Sequence, residues 1–204
     1  MKNLYLAFTV VIFISACSSS ISPLDDVLDK LIFHLGNVSE PQGIDPHIVT
    51  GVPEHHLLIS LCEGLTSSNP NGGQNLPGAA ESWDISEDGT VYTFYLQKNG
   101  KWSNGDALTA HDFVWSGQIL LTRALGSQYP DMLYYVKGAS DFHNGITDNF
   151  NDVGVEVVDD YTFRVHLNNS TPFFLGLLSH YSTWPVHKET VLKHGTIDDR
   201  NGQW

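Results

Sequence analysis

Basic residues are scarce in this sequence of 204 residues, which has 10 Lys and Arg against 23 Asp and Glu and a formal net charge of −13. Binding to nucleic acid relies on clustered Lys and Arg that neutralise phosphates, so the composition argues against a nucleic-acid partner. The same acidity argues against attachment to anionic lipid through the folded surface. With 41% apolar and 16% charged residues, the chain nevertheless has the composition of a globular protein with a core.

Cysteine is nearly absent, since only Cys17 and Cys62 occur. If Cys17 is modified, Cys62 is the one thiol left, and a disulfide framework within the chain is excluded. Cys62 follows an apolar stretch at residues 57–61, and we therefore predict that it is a small buried hydrophobic residue.

No apolar run is long enough to span a bilayer as a helix, which takes about 20 residues. The run at residues 4–14 instead follows Lys2 and precedes Ser15 and Ala16, the pattern of a secretory signal peptide over residues 1–16. Ile14-Ser15-Ala16-Cys17 resembles the bacterial lipobox, which predicts lipidation at Cys17. Residues 17–29 then read as a polar tether, so we expect the mature protein in the periplasmic space or at the cell surface, lipid-anchored to a bacterial membrane.

Catalytic and metal-binding patterns are also missing. The sequence has no Gly-x-Ser-x-Gly elbow and no phosphate-binding glycine loop. Asp159-Asp160 lies in a predicted turn, where two carboxylates do not face each other across a cleft. His55 and His56 are adjacent, so on a helix they point about 100° apart and rarely share a metal. We therefore predict a protein that is not an enzyme and has no metal or cofactor.

Periodicity predicts a mixture of hairpins and helices, an α/β or α+β arrangement. Asp45-Pro46-His47 predicts a turn. A helix should begin at Thr109, with Asp112 completing a capping box, and should run to Gly126. The other predicted elements are a strand at 30–35, a helix from Pro53 to Gly64 with Leu57, Leu58, Leu61 and Cys62 on one face, a strand at 91–96, a hairpin of 153–157 with 162–167, and a short helix at 173–178 after Thr171-Pro172.

Several segments, in the same order, resemble the oligopeptide-binding proteins of ABC importers. They are Gly51-Val52-Pro53-Glu54, Ala80-Glu81-Ser82-Trp83-Asp84, Lys101-Trp102-Ser103-Asn104-Gly105-Asp106, Leu108-Thr109-Ala110-His111-Asp112-Phe113-Val114 and Ser182-Thr183-Trp184-Pro185-Val186. Because order and spacing agree from about residue 32 to residue 204, the chain is identified as a member of extracellular solute-binding family 5.

This resemblance implies an α/β fold of the two-lobed periplasmic-binding-protein type, class II. Residues 30–62 would form the first segment of lobe 1, residues 63–187 a small inserted α+β domain, and residues 188–204 the start of the return to lobe 1. Members of the family are considerably longer than this chain. The resemblance therefore also implies an N-terminal fragment that lacks the second lobe.

The resemblance further implies a monomeric protein that captures oligopeptides and delivers them to the permease and ATPase subunits of an ABC transporter. The backbone of Thr50, Gly51 and Val52 would pair with an extended peptide, as in strand addition. Tyr129 would be an aromatic pocket residue, and closure of the two lobes would bury the ligand. Family members often carry an acid at the position of Thr50, so an electrostatic contact there is not implied.

Other functions remain open from the residues alone. A nickel-, dipeptide- or sugar-binding relative within the same superfamily is the nearer alternative, since His55-His56 would suit nickel and the tryptophans would suit sugar stacking. A secreted hydrolase would also be exported and acidic, although no group of residues in the sequence predicts its chemistry.

Overall fold

A computed structural model describes His34 and residues 36–197 of the chain. The predicted signal peptide, the lipidation site Cys17, the tether and most of the predicted strand at residues 30–35 lie outside the described residues, as do residues 198–204. From Asn37 onward the described residues belong to one compact unit. Among the described residues, the helices are all too short or too polar to cross a membrane.

The unit combines five α-helices and six β-strands among the described residues. The helices are α1 Val52–Leu61, α2 Ala110–Leu121, α3 Ala139–His143, α4 Phe174–Leu178 and α5 Lys188–His194. The strands are β1 Thr66–Ser67, β2 Leu76–Pro77, β3 Ala80–Ile85, β4 Val91–Leu96, β5 Val155–Asp159 and β6 Thr162–His166. Short 3-10 turns lie at Arg123–Leu125, Pro130–Leu133, Phe150–Asp152 and Tyr181–Thr183.

The main sheet is antiparallel throughout, with the strand order β3-β4-β6-β5. The predicted strand at 91–96 and the predicted hairpin are confirmed, because alternation places Tyr92, Phe94 and Leu96 on the buried face, where Phe163 lies opposite Phe94. The edge strand β3 was not predicted, since Ala80 is its one buried residue and its pattern shows no alternation.

Helix α2 covers the buried face of this sheet. The predicted capping box is confirmed, because the Asp112 carboxylate accepts the Thr109 N–H at 2.8 Å and the Thr109 hydroxyl at 3.1 Å. Phe113 and Leu120 are buried in the core against the sheet. The helix ends at Leu121, earlier than predicted, and Gly126 instead ends a following 3-10 turn in the left-handed conformation that glycine favours.

The start of helix α1 is confirmed, with proline in its first turn, but its predicted buried face is wrong. Leu58 is 1% exposed, whereas Leu61 is 68% exposed and Cys62 is also exposed. The reason is that only a narrow strip of this helix is covered by the rest of the protein. Leu58 lies in that strip and packs against Tyr181 and Trp184. The helix ends at Leu61 rather than at Gly64.

The helix predicted after Thr171-Pro172 is present but starts later than expected. Helix α4 begins at Phe174, with Phe173 at its N-cap position, and Thr171 lies buried before it. The Thr171 carbonyl accepts two hydrogen bonds, from the Phe174 N–H at 3.0 Å and from the Tyr92 hydroxyl at 3.2 Å. These bonds hold the start of the helix against the sheet.

Candidate functional site

A cleft of about 1430 Å³ lies beside the segment that precedes helix α1. One wall is formed by residues between Ser39 and Glu54. The rest of the lining comes from other parts of the chain, among them Gln97, Trp102 and His187. This volume exceeds the usual 300–1,000 Å³ of small-molecule pockets and is large enough for a ligand of several residues.

Thr50 and Gly51 form part of the rim of this cleft. Their backbone is extended at Gly51, with φ −82° and ψ 156°, and Thr50 is exposed. Among the described residues, no group accepts a hydrogen bond from the N–H of Thr50 or Gly51. The rim therefore presents two backbone donors to a ligand.

Glu54, in the first turn of helix α1, stabilises the segment that contains Thr50 and Gly51. Its carboxylate is buried, with 4% exposure, and accepts the Gln42 N–H at 2.6 Å. A negative charge is favourable at a helix N-terminus, where the helix dipole is positive. A Cβ at Gly51 would overlap the Glu54 carboxylate, so the absence of a side chain at Gly51 is already required within the protein.

Two long-range hydrogen bonds attach the rim to the segment before helix α5. The buried ring of His47 lies with Nε2 3.1 Å from the Trp184 carbonyl, and because a carbonyl only accepts, Nε2 carries the donated proton. The Tyr181 hydroxyl donates to the Val49 carbonyl at 3.1 Å. The turn predicted at Asp45-Pro46-His47 is confirmed, since the N–H groups of Ile48 and Val49 both donate to the Asp45 carbonyl.

Tyr129 packs edge-on against two rings of the same segment. Its centroid lies 5.1 Å from that of His180 and 6.2 Å from that of Tyr181. Burial above all, and then the nearby Tyr129 and Glu54, raise the pKa of Tyr181 to about 12. The Tyr181 hydroxyl is therefore neutral at physiological pH and serves as a hydrogen-bond group, not as an acid.

The lining also contains a second anchored histidine, His187, at the N-cap of helix α5. Its Nδ1 accepts the Thr190 N–H at 3.2 Å, so Nε2 carries the proton of the neutral ring and faces the Asp106 carboxylate at 3.0 Å. Trp102 packs edge-on against the same ring at 5.3 Å. These contacts join the loop Lys101-Trp102-Ser103-Asn104-Gly105-Asp106 to the start of helix α5.

Two of the four predicted peptide-binding residues line the cleft, and two do not. Thr50 and Gly51 line the cleft, whereas the Val52 side chain is 65% exposed and outside its lining. Tyr129 is also outside the lining but is linked to the rim through Tyr181. The roles of all four residues stay predictions, and Cys17 lies outside the described residues.

Sequence reasoning missed three residues that hold the rim in place. Glu54 had a signal, because an acid in the first turn after Pro53 is a common helix start. His47 and Tyr181 had none, since their partners are 137 and 132 residues away in sequence. Within the described part of the chain, no three His, Cys, Asp or Glu side chains come together as metal ligands.

We predict that His180 makes the protein less stable in mild acid. Burial, and secondarily the charge of His55, lower its pKa below the ordinary value of about 6.5. The folded state thus keeps His180 neutral, and the stability gained is complete above about pH 6.5 and decreases as the pH falls below it. The Tm measured between about pH 7.5 and pH 5 should fall more in the wild type than in His180→Asn. The asparagine keeps a side-chain acceptor for the Ser182 N–H, which His180 accepts in the wild type. His111→Asn, at an exposed ring, controls for the substitution, and parallel curves for wild type and His180→Asn would contradict the prediction.

We also predict that Gly51→Ala destabilises the fold through Glu54. The new Cβ must displace a buried carboxylate that holds the Gln42 N–H, at an expected cost of about 1–3 kcal/mol. In a Glu54→Ala background the same change should cost at least about 1 kcal/mol less. Gly176→Ala is the matched control, because its Cβ would meet no atom within 4 Å. Equal costs of Gly51→Ala in both backgrounds, measured by denaturant unfolding, would rule out the clash.

Comparison with known proteins identifies the family of this chain. The family described as bacterial extracellular solute-binding proteins, family 5 Middle, matches residues 76–203. The periplasmic oligopeptide-binding protein OppA of Haemophilus influenzae is 38% identical over 196 residues, which are 95% of this chain and 36% of the relative. OppA of Salmonella typhimurium is 40% identical over 190 residues, 92% of this chain and 34% of the relative. The chain thus spans about a third of the length of these relatives.

Solved structures agree with the sequence matches. A crystal structure of Haemophilus influenzae OppA in complex with the peptide RPPGFSPFR superposes with a TM-score of 0.73 at 42% identity, covering 78% of this chain and 31% of that one. The periplasmic murein tripeptide-binding protein MppA, in an unliganded open form, superposes with a TM-score of 0.71 at 33% identity, covering 76% and 30%. The predicted α/β periplasmic-binding-protein fold is therefore confirmed for the part of the fold that this chain covers, and the chain belongs to the bacterial extracellular solute-binding proteins of family 5.

Proposed function

We propose that this chain is part of a solute-binding protein that captures oligopeptides and delivers them to the permease and ATPase subunits of an ABC importer. The observation that carries the proposal is a pair of backbone donors, Thr50 and Gly51, which line a large cleft and have no partner among the described residues. An extended peptide offers carbonyl oxygens at regular spacing, and these accept hydrogen bonds from such donors in strand addition. Relatives named as oligopeptide-binding proteins support the same ligand class.

Recognition through the backbone explains how one site would take many sequences. The rim donors contact groups that every peptide has, and a cleft of about 1430 Å³ leaves room for side chains together with water. In this proposal Val52 continues the backbone contact and Tyr129 lines a side-chain pocket once the ligand is enclosed. The protein itself carries out no bond-making step.

We also propose the division of the chain into two parts. Residues 63–187 form the small inserted domain, and residues 30–62 and 188–204 belong to lobe 1. The distribution of the core supports this division, because the largest cluster of buried residues runs from Leu65 to Leu178, entirely inside the proposed domain. Leu58 and Val191 belong to smaller clusters that join the two parts.

Peptide binding is tested with the product of the complete gene. Isothermal titration with a set of short peptides of unrelated sequence should give Kd values of about micromolar or tighter. Ni²⁺ and maltose, titrated in the same buffer, represent the metal- and sugar-binding alternatives and should give no binding heat. Binding of either of these without binding of any peptide would contradict the proposed function.

We propose further that the mature protein is a monomer anchored by lipid at Cys17 and working in the periplasmic space or at the cell surface. The lipobox-like Ile14-Ser15-Ala16-Cys17 supports the lipid anchor and the location outside the cytoplasm. One acyl chain anchors only weakly, so stable retention needs a diacyl or triacyl modification. Mass spectrometry of the N-terminal peptide should find Cys17 as the first residue, carrying lipid. An unmodified Cys17, or cleavage at another bond, would contradict it.

A further inference from the structure

Tyr181 touches both parts of the proposed peptide site, although neither its position nor its type marks it in the sequence. The side chain is 3% exposed and packs with Leu58 and Trp184. Its hydroxyl donates to the Val49 carbonyl at 3.1 Å, next to the rim. Its ring stands edge-to-face with that of Tyr129, at 87° and 6.2 Å.

The bond to Val49 determines where the first rim donor points. The Val49 carbonyl and the Thr50 N–H belong to one peptide group, which is planar and trans. In such a group the C=O and N–H directions are opposite. Because the carbonyl points inward to Tyr181, the Thr50 N–H points away from it.

The second contact of Tyr181 is with the ring of Tyr129. The rings of Tyr181 and Tyr129 are in direct edge-to-face contact. A rotation of Tyr181 would therefore move Tyr129 and release the Val49 carbonyl together. One buried side chain sets the spacing between a backbone donor and an aromatic ring.

We propose that Tyr181 is a positioning residue for peptide binding, which orients the Thr50 N–H through Val49 and holds Tyr129 at a fixed distance from it. This inference rests on the proposed peptide-binding function. Tyr181 itself does not contact the peptide. It preorganises two groups that do, and so lowers the ordering cost of binding.

The test compares Tyr181→Phe with Tyr92→Phe in the complete gene product. Tyr92 is a matched control, because it is 2% exposed and its hydroxyl also donates to a backbone carbonyl, that of Thr171 at 3.2 Å. Each change deletes one buried hydroxyl and keeps the ring, so both should lower the Tm by similar amounts. Tyr181→Phe should weaken every peptide about fivefold, the change that corresponds to one net hydrogen bond. Tyr92→Phe should leave all Kd values within about twofold of wild type.

The outcomes separate the inference from the function on which it rests. If the wild type binds no peptide, the proposed function fails. If the wild type binds and the two variants change affinity equally, or not at all, Tyr181 is only a structural residue and the inference is overturned.

Discussion

Two hydrogen bonds that cross almost the whole described chain fix the rim of the cleft. The Tyr181 hydroxyl holds the Val49 carbonyl, and the His47 ring holds the Trp184 carbonyl, over separations of 132 and 137 residues. The His47 bond is buried and the Tyr181 bond is partly buried, so breaking either one would leave polar groups with poor access to water. The direction of the backbone before helix α1, and with it the exposure of two unpaired donors, depends on this attachment.

Local chemistry made much of the main sheet and of helix α2 predictable. The alternation at residues 91–96 and in the hairpin depends on neighbours in the same strand, and the capping box of Thr109 and Asp112 spans three residues. The turn at Asp45-Pro46-His47 follows in the same way from the restriction that proline places on its neighbour. Such features appear in the sequence because their cause and their effect lie within a few residues.

Tertiary contacts explain what sequence reasoning did not reach. An apolar face was expected on helix α1 at Leu57, Leu58, Leu61 and Cys62, but of these four side chains only Leu58 is buried, against Tyr181 and Trp184. The order of the family motifs pointed to Gly51 without indicating that Glu54 fills the space where its side chain would be. The role of Tyr181 depends on a partner that no local pattern specifies.

Amide hydrogen exchange of the complete gene product, with and without a saturating peptide, is the most direct test of the central claim that the rim binds the ligand backbone. Peptide should slow exchange at the N–H groups of Thr50 and Gly51, because these donors are unpaired without it. The paired amides of strands β4 and β6 should already be protected and change little. Protection by peptide elsewhere, with Thr50 and Gly51 unaffected, would contradict the account.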